Sequence, residues 1–597
     1  MLRIFYILTV IVLIISFNSC SNEIINGTKD KEQTAHVVCP IDISSSYGAY
    51  LAGRVAHLRK NFNTAADNYV KVLSKDPDNK DLLSKIYIIL ASKQRVPEAA
   101  KFAQISLDKG DKNNLTHIII AVDKMSSGKF QEANQTIKKL DGPVYKEFIV
   151  PLMSAWAYAG EGNKEQALKT ISILQKEPSF NGLYHFHKGM IHDFFGNKQE
   201  ALENYEKLIS GDAPDLSFRS LQIMTNLYVR TNQKDKAIAL MKRFSNDRVH
   251  QDMLQKLNHN ITKSIPETTP PIVNNPNIGL SEALFNIAAT LKQGEAGTDL
   301  AHVFISLSIF ANPKYDLGRI LLADILESRG IYTIANEVYD EISPSSEAYF
   351  SAQIKKSTNL VLLQDYKAAE LLLKSLHLDY PNNPQLMLDL ADVLRVQGSY
   401  EEAIKYYQKA IHVIPRVEND HWILFYALAV AYDANKQWKD AEINFKKALE
   451  LSNNHFMVQN HLGYSWLQQG KNIDKAFSMI ADAYNQAPHD GNIIDSLGWA
   501  FYQIGKYDKA VEFLERASEQ EPANALIYDH LGDAYWEKGR KNEAVFQWKH
   551  ALIMKDINGE IDRTKIEEKI KNGLIISTPH PFDEEIINQK IKTIQDN

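Results

Sequence analysis

Two cysteines, Cys20 and Cys39, and three closely spaced histidines, His185, His187 and His192, are the first residues of this chain to suggest chemistry. Thiols and imidazoles together could hold a metal, but a structural zinc site needs four ligands at tight spacing. The cysteines lie far from the histidines in sequence. His187 and His192 are five apart, which is poor spacing for one helix face, so the cluster reads as ordinary helix residues. There is no Gly-x-x-x-x-Gly-Lys-Ser/Thr phosphate loop, no Gly-x-Ser-x-Gly elbow and no His-Glu-x-x-His. The expectation is a chain without catalytic residues, cofactor, metal or small-molecule substrate. A net charge of −6 over 597 residues leaves no basic footprint for nucleic acid.

Cys20 takes its meaning from what precedes it. Arg3 is followed by an apolar stretch, Ile4 to Ile15, interrupted only by Thr9, and then by Ser16-Phe17-Asn18-Ser19-Cys20. A charged start, a short apolar run and a small residue before a junction describe a secretory leader. The run is shorter than the roughly 20 residues a membrane-spanning helix needs. The junction resembles a bacterial lipoprotein signal, although Phe17 and Asn18 depart from its usual residues. That resemblance implies a lipoprotein-type signal over residues 1–20, with cleavage that leaves Cys20 as the lipidated first mature residue, and a lipid anchor facing the periplasm. Ser21 in place of an aspartate favours the outer membrane. Residues 21–46 are polar and read as a tether. Cys39 is left without an intramolecular partner.

The rest of the chain is periodic. Alanines recur at Ala65, Ala99, Ala133, Ala167 and Ala201, each 34 residues after the last, then at Ala237. The series resumes with Ala301, Ala335, Ala369 and Ala403, followed by Ala441, Ala476, Ala510 and Ala544. A 34-residue period is that of the tetratricopeptide repeat (TPR), a helix–turn–helix unit. Neighbouring positions fit it: Gly498, Leu514, Ala517 and Pro522 surround Ala510, and Gly189, Tyr205 and Pro214 surround Ala201. The small residues are expected where two helices cross closely. The bulky residue four after the marker alanine fills the layer to the next unit. The expected fold is therefore all-α, a superhelical solenoid of about fourteen helix pairs. The gap between Ala237 and Ala301 contains Pro266, Pro270, Pro271 and Pro276. It divides the reading into an N-terminal block at 47–258, a Pro/Asn-rich linker at 259–279 and a C-terminal block at 280–552. Residues 553–597 are expected to be a capping helix, with Ile566 and Ile570 four apart, and a loose polar tail beyond Ser577.

In this repeat family the first helix of each pair lines the inner face. Its inward positions in the last three units select a candidate partner-binding groove: Asn460, Tyr464, Asp495, Trp499, Tyr502, Asp529, Asp533 and Trp536. Aromatic anchors are typical of binding hot spots, and the acidic neighbours favour a basic or amide-rich partner segment.

The wording Asn460-His461-Leu462-Gly463-Tyr464, Asp495-Ser496-Leu497-Gly498-Trp499 and Asp529-His530-Leu531-Gly532-Asp533 resembles that of proteobacterial envelope TPR proteins. One member type is an outer-membrane lipoprotein that binds and activates a periplasmic C-terminal processing protease. The resemblance implies a non-catalytic adaptor whose partners are envelope proteins, such a protease among them. A structural subunit of an outer-membrane assembly or export complex is the alternative.

Overall fold

The computed structural model describes residues 45–59, 61–209, 217–244, 251–294, 297–554, 561–575 and 578–595. Cys20, Cys39 and the leader lie outside the described residues. Every described element is helical, and among the described residues no helix is long and apolar enough to cross a membrane.

The chain divides into two compact units, with the boundary between Asp365 and Tyr366. The first unit contains α1 Ser46–Leu58, α2 Phe62–Lys75, α3 Lys80–Ser92, α4 Val96–Asp108, α5 Asn114–Ser126, α6 Phe130–Ile137, α7 Val150–Gly160, α8 Lys164–Ile171, α9 Asn181–Phe194, α10 Lys198–Ile209, α11 Phe218–Arg230, α12 Lys234–Phe244, α13 Gln251–Lys263, α14 Pro276–Lys292, α15 Thr298–Ala311, α16 Asp316–Ser328, α17 Tyr332–Asp340 and α18 Tyr349–Leu362. The second contains α19 Tyr366–Asp379, α20 Pro384–Val396, α21 Tyr400–Val413, α22 Trp422–Ala434, α23 Trp438–Ser452, α24 Phe456–Gln468, α25 Ile473–Gln486, α26 Gly491–Gln503, α27 Tyr507–Gln520, α28 Ala525–Glu537, α29 Lys541–Ile553, α30 Arg563–Asn572 and α31 Glu584–Gln595.

All fourteen marker alanines are 0% exposed, and each lies in a helix. The first-helix glycine makes room for the bulky residue four beyond the alanine. A Cβ on Gly189 would lie 2.4 Å from the Tyr205 ring, and one on Gly532 2.4 Å from Trp548. A larger side chain there would force the pair apart. Side chains in loops start many of the helices: Asn79, Asn163, Asn383, Asp490 and Asn524 each accept a hydrogen bond from a first-turn amide.

The compact units do not part at the Pro/Asn-rich stretch. Residues 264–275 do form a loop there, between α13 and α14. Its course is fixed rather than that of a free linker: Asn226 Nδ2 donates to the Pro270 carbonyl at 3.1 Å, and Val273 is buried. The loop returns the chain into the first unit. Helix α14 packs on α7 and α9, and α15 packs on α3 and α5. These are the first helices of successive pairs, so α14 and α15 fill the inner face of the N-terminal repeats. The reason is composition. Leu280, Ala283, Leu284, Ile287 and Ala288 of α14 and Val303, Phe304, Ile305, Leu307 and Ile309 of α15 are all buried, and helices apolar on every side must be enclosed. Gly279 lies against Trp156, where a Cβ would come 2.1 Å from the ring. Ser306 Oγ donates to the Ser92 carbonyl, 214 residues away, at 3.1 Å.

A buried polar cluster ties the same helices together. Arg219 of α11 pairs with Glu282 of α14, with Nε at 2.8 Å from Oε1, and the Tyr315 hydroxyl donates to Glu282 Oε2 at 2.9 Å. His187 belongs to this core and not to a metal site. Trp156 Nε1 donates to its Nδ1 at 3.1 Å, and Asn286 Nδ2 lies 3.1 Å from its Nε2. Burial drives the His187 pKa down to about 3. His185 bonds Asn204 instead. Among the described residues no group of three or more His, Cys, Asp or Glu could hold a metal ion.

In the second unit α30 packs on α29 as a closing helix, as Ile566, 0% exposed, suggests. The expectation of a loose tail is corrected. Beyond Ser577 the chain forms α31, which packs on α25 through Ile587 and Ile594. Ile587, Ile591 and Ile594 recur at helical spacing within polar sequence, which is enough to bury one stripe.

Candidate functional site

Helices α24, α26 and α28 are the first helices of the last three pairs and carry all eight candidate groove residues. Their rows are locked by caps. Asp490 Oδ1 accepts from the Asn492 and Ile493 amides, Asn524 Oδ1 accepts from the Leu526 amide, and Asn524 Nδ2 donates to Asn492 Oδ1 at 3.1 Å across the two helices.

The structure gathers seven of the eight candidates into two clusters and leaves Asn460 outside both. The first joins α26 to α28. Trp499 and Tyr502, three residues apart on one helix face, stack with ring centroids 4.6 Å apart and planes 8° from parallel. The other face of Trp499 is covered by His530, at 4.0 Å and 16°. Asp495 Oδ1 lies 3.0 Å from His530 Nδ1, and Tyr464 reaches the edge of the stack, 6.3 Å from His530. Burial acts to lower the His530 pKa, but the charge and hydrogen bond of Asp495, with Asp529 and Asp533 nearby, outweigh it and hold the value above normal.

The second cluster joins α28, α29 and α30. Lys569 Nζ donates to Asp529 Oδ1 and Asp533 Oδ2, both at 2.8 Å, and Trp548 Nε1 donates to Asp533 Oδ1 at 2.9 Å. Trp536 lies against Gly573, where a Cβ would approach its ring to 2.4 Å. Burial and the like charge of Asp529 raise the Asp533 pKa against the pull of Lys569. Lys569 is itself raised, because the two carboxylates outweigh its burial. Two carboxylates and one ammonium thus share a largely buried site.

Asp495, Trp499, Tyr502 and Asp533 are buried, while Asn460, Tyr464, Asp529 and Trp536 are half-buried. The acidic residues are therefore already answered by His530 and Lys569 of this chain. Neither cation was among the residues selected from sequence. Both pair across repeats, 35 residues apart for Asp495–His530 and 36 and 40 for Lys569, so no local motif announces them. What remains unmet is neutral. Asn460 Oδ1 and Trp499 Nε1 are buried without a hydrogen-bond partner among the described residues.

A His–carboxylate pair is half of a nucleophile-activating triad. Here Trp499 covers one face of the imidazole, and Asp495 engages its Nδ1. The arrangement is suited to holding a backbone or an aromatic side chain in place.

These features define an all-helical repeat solenoid built from pairs that cross at small residues. Family models described as tetratricopeptide repeat match residues 184–213 and 384–454, and one described as TPR repeat matches residues 498–539. The chain is a tetratricopeptide-repeat protein. Repeats of this family mediate contacts between proteins. No curated protein sequence matches the chain. Among solved structures it is similar to a tetratricopeptide repeat protein from Parabacteroides merdae, at 17% identity over 43% of this chain and 97% of that one, with a TM-score of 0.37. It is also similar to the APC/C hetero-tetramer Cut9–Hcn1, at 13% identity over 89% of this chain and 97% of that one, with a TM-score of 0.36. A thermophilic TPR protein of Thermus thermophilus matches at 20% identity over 32% of this chain and 98% of that one, with a TM-score of 0.27. These likenesses concern the repeat fold alone.

Proposed function

We propose that this chain is a non-catalytic scaffold of a bacterial cell envelope that binds partner polypeptides on the inner face of its last repeats. One observation carries the binding site. Asn460 Oδ1, an acceptor, and Trp499 Nε1, a donor, are both buried and unsatisfied. Each such group costs about 1–3 kcal/mol, and an extended peptide backbone offers a donor and an acceptor of the kinds they need. The inner face of the N-terminal repeats is filled by α14 and α15, which directs attention to the later one.

The envelope setting rests on the leader, with Cys20 as lipid anchor, the outer membrane as its site and the body in the periplasm. The protease-adaptor role rests on the wording of residues 460–536. A photo-crosslinking amino acid at Tyr464, introduced in living cells, tests both. The expected adduct is a C-terminal processing protease or its substrate, and it should disappear with Trp499→Ala in a protein of unchanged helicity. An adduct with a barrel or secretion component would select the assembly-complex reading. Absence of any adduct, or one that survives Trp499→Ala, refutes the inner-face site. Cys20→Ala should move the protein out of the membrane fraction, and unchanged fractionation removes the anchor from the proposal.

A further inference from the structure

The segment 578–595 packs on α25, the second helix of its pair. Its sequence is Pro579-His580-Pro581-Phe582-Asp583, followed by α31. The extended part crosses two helix–helix turns that present bare backbone. Gly505 and Gly470 both have positive φ, at 74° and 63°. A Cβ on Gly505 would lie 2.9 Å from Pro579, and one on Gly470 2.9 Å from the His580 ring. The His580 amide donates to the Gln503 carbonyl at 2.9 Å, and the Lys506 ammonium lies 5.6 Å over the Phe582 ring. Asp583 then starts the helix: its side chain accepts from the Glu585 amide, and its own amide donates to Asp474 Oδ1 at 2.7 Å. Further along, Lys590 pairs with Asp482 at 2.6 Å. Asp474 and Asp482 are eight apart, two turns along one face of α25. Ile587 lies between these polar contacts and Ile594 one turn beyond the second, and both are buried, at 0% and 7% exposure.

Backbone recognition at the turns, an ordered aromatic, and an amphipathic helix held between two acidic contacts amount to a peptide-recognition mode. The contact is also shallow. Only two side chains are well buried, and the Lys590–Asp482 pair is partly solvated, at 25% and 39% side-chain exposure. Exposed pairs of this kind bind weakly. By contrast, the Lys569 latch on α30 is largely buried.

We infer that the Asp474–Asp482 face of α25, with the Gly470 and Gly505 turns, is a second peptide-binding site occupied reversibly in cis by residues 578–594. The ligand class is a Pro-x-Pro-aromatic segment leading into a short helix with isoleucines seven apart and a basic residue between them. A partner segment of this pattern would compete with the tail. The inference is independent of the proposed inner-face function.

The test uses the full chain and a fluorescein-labelled synthetic peptide of residues 578–595. In the native protein the tail blocks the site. Ile587→Asp in the full chain should release it without a deletion. Fluorescence anisotropy should show saturable binding to the Ile587→Asp protein and at least tenfold weaker binding to native protein. Binding should be lost on adding Asp474→Ala and Asp482→Lys, and kept on adding Trp499→Ala. Hydrogen exchange should show faster exchange in residues 584–594 of the Ile587→Asp protein while α26 and α28 stay protected. Equal binding to native and Ile587→Asp protein, no binding to the folded variant, or insensitivity to Asp482→Lys would overturn the inference.

Discussion

Glu282 offers the sharpest test of how the first unit is held together. Its side chain is 0% exposed and that of Arg219 is 11% exposed. It accepts from Arg219 and from the Tyr315 hydroxyl, so it ties α14 to both α11 and the start of α16. Glu282→Leu removes the carboxylate paired with Arg219 and leaves a buried guanidinium beside an unmatched hydroxyl. Breaking one side of a buried pair costs about 3–5 kcal/mol, whereas replacing the whole set with apolar groups is often neutral. The triple variant Arg219→Met/Glu282→Leu/Tyr315→Phe should therefore lie within about 1–2 kcal/mol of native, allowing for Gln222 losing its bond from Arg219. The measurement is hydrogen exchange of the α14 and α11 peptides against urea, which reports on this region by itself. A cost below about 1 kcal/mol for Glu282→Leu, or a triple variant as unstable as the single one, would refute the reasoning that α14 is locked in by this cluster.

Two further predictions concern pH and packing. Burial, with Arg329 and Lys93 nearby, lowers His302 to about 3, as burial does His187. Because both folded values lie below the unfolded 6.5, their contribution is complete above pH 6.5 and falls by about 1.4 kcal/mol per histidine per unit as pH drops towards 3. His530 is raised, so its contribution is complete below pH 6.5 and is lost as pH rises through its folded value. Between pH 8 and pH 5, exchange in α9 and α15 should therefore accelerate once intrinsic rates are corrected, while exchange in α28 slows. Changes of the same sign in both would contradict these assignments. Gly532→Val drives a side chain into Trp548, 2.4 Å from the Cβ position, and should cost about 1–3 kcal/mol. Adding Trp548→Leu should recover part of the loss in thermal unfolding, and no recovery would place the strain elsewhere.

What the sequence made legible was local. The alanine period marks helix crossings because only a small side chain permits them, and each marker is fully buried. The aromatic residues Trp499 and Tyr502 do meet, since three-residue spacing on a helix is enough to bring them together. The placement of α14 and α15 depends on contacts with helices up to 214 residues earlier, which no repeat frame encodes. The continuous apolar run Val303-Phe304-Ile305 was the available clue. Similarly, Asp495, Asp529 and Asp533 read as a surface waiting for a basic partner because their partners, His530 and Lys569, lie in other helices. The tail looked loose because Ile587 and Ile594 are single apolar residues among charges, and their receptor, α25, is about a hundred positions away.

The filling of the first inner face by α14 and α15 also changes how this part of the chain must fold. A simple repeat array has low contact order, and each unit can settle on the one before it as synthesis proceeds. Here α3, α5, α7 and α9 wait for helices that are made much later. A nascent chain ending near Lys263 would display a broad apolar trough, with Trp156 uncovered. Stability in this region is then no longer a sum over adjacent units but behaves like that of a globular domain. A deletion in α15 would be felt at Ser92 as strongly as at its neighbours in sequence.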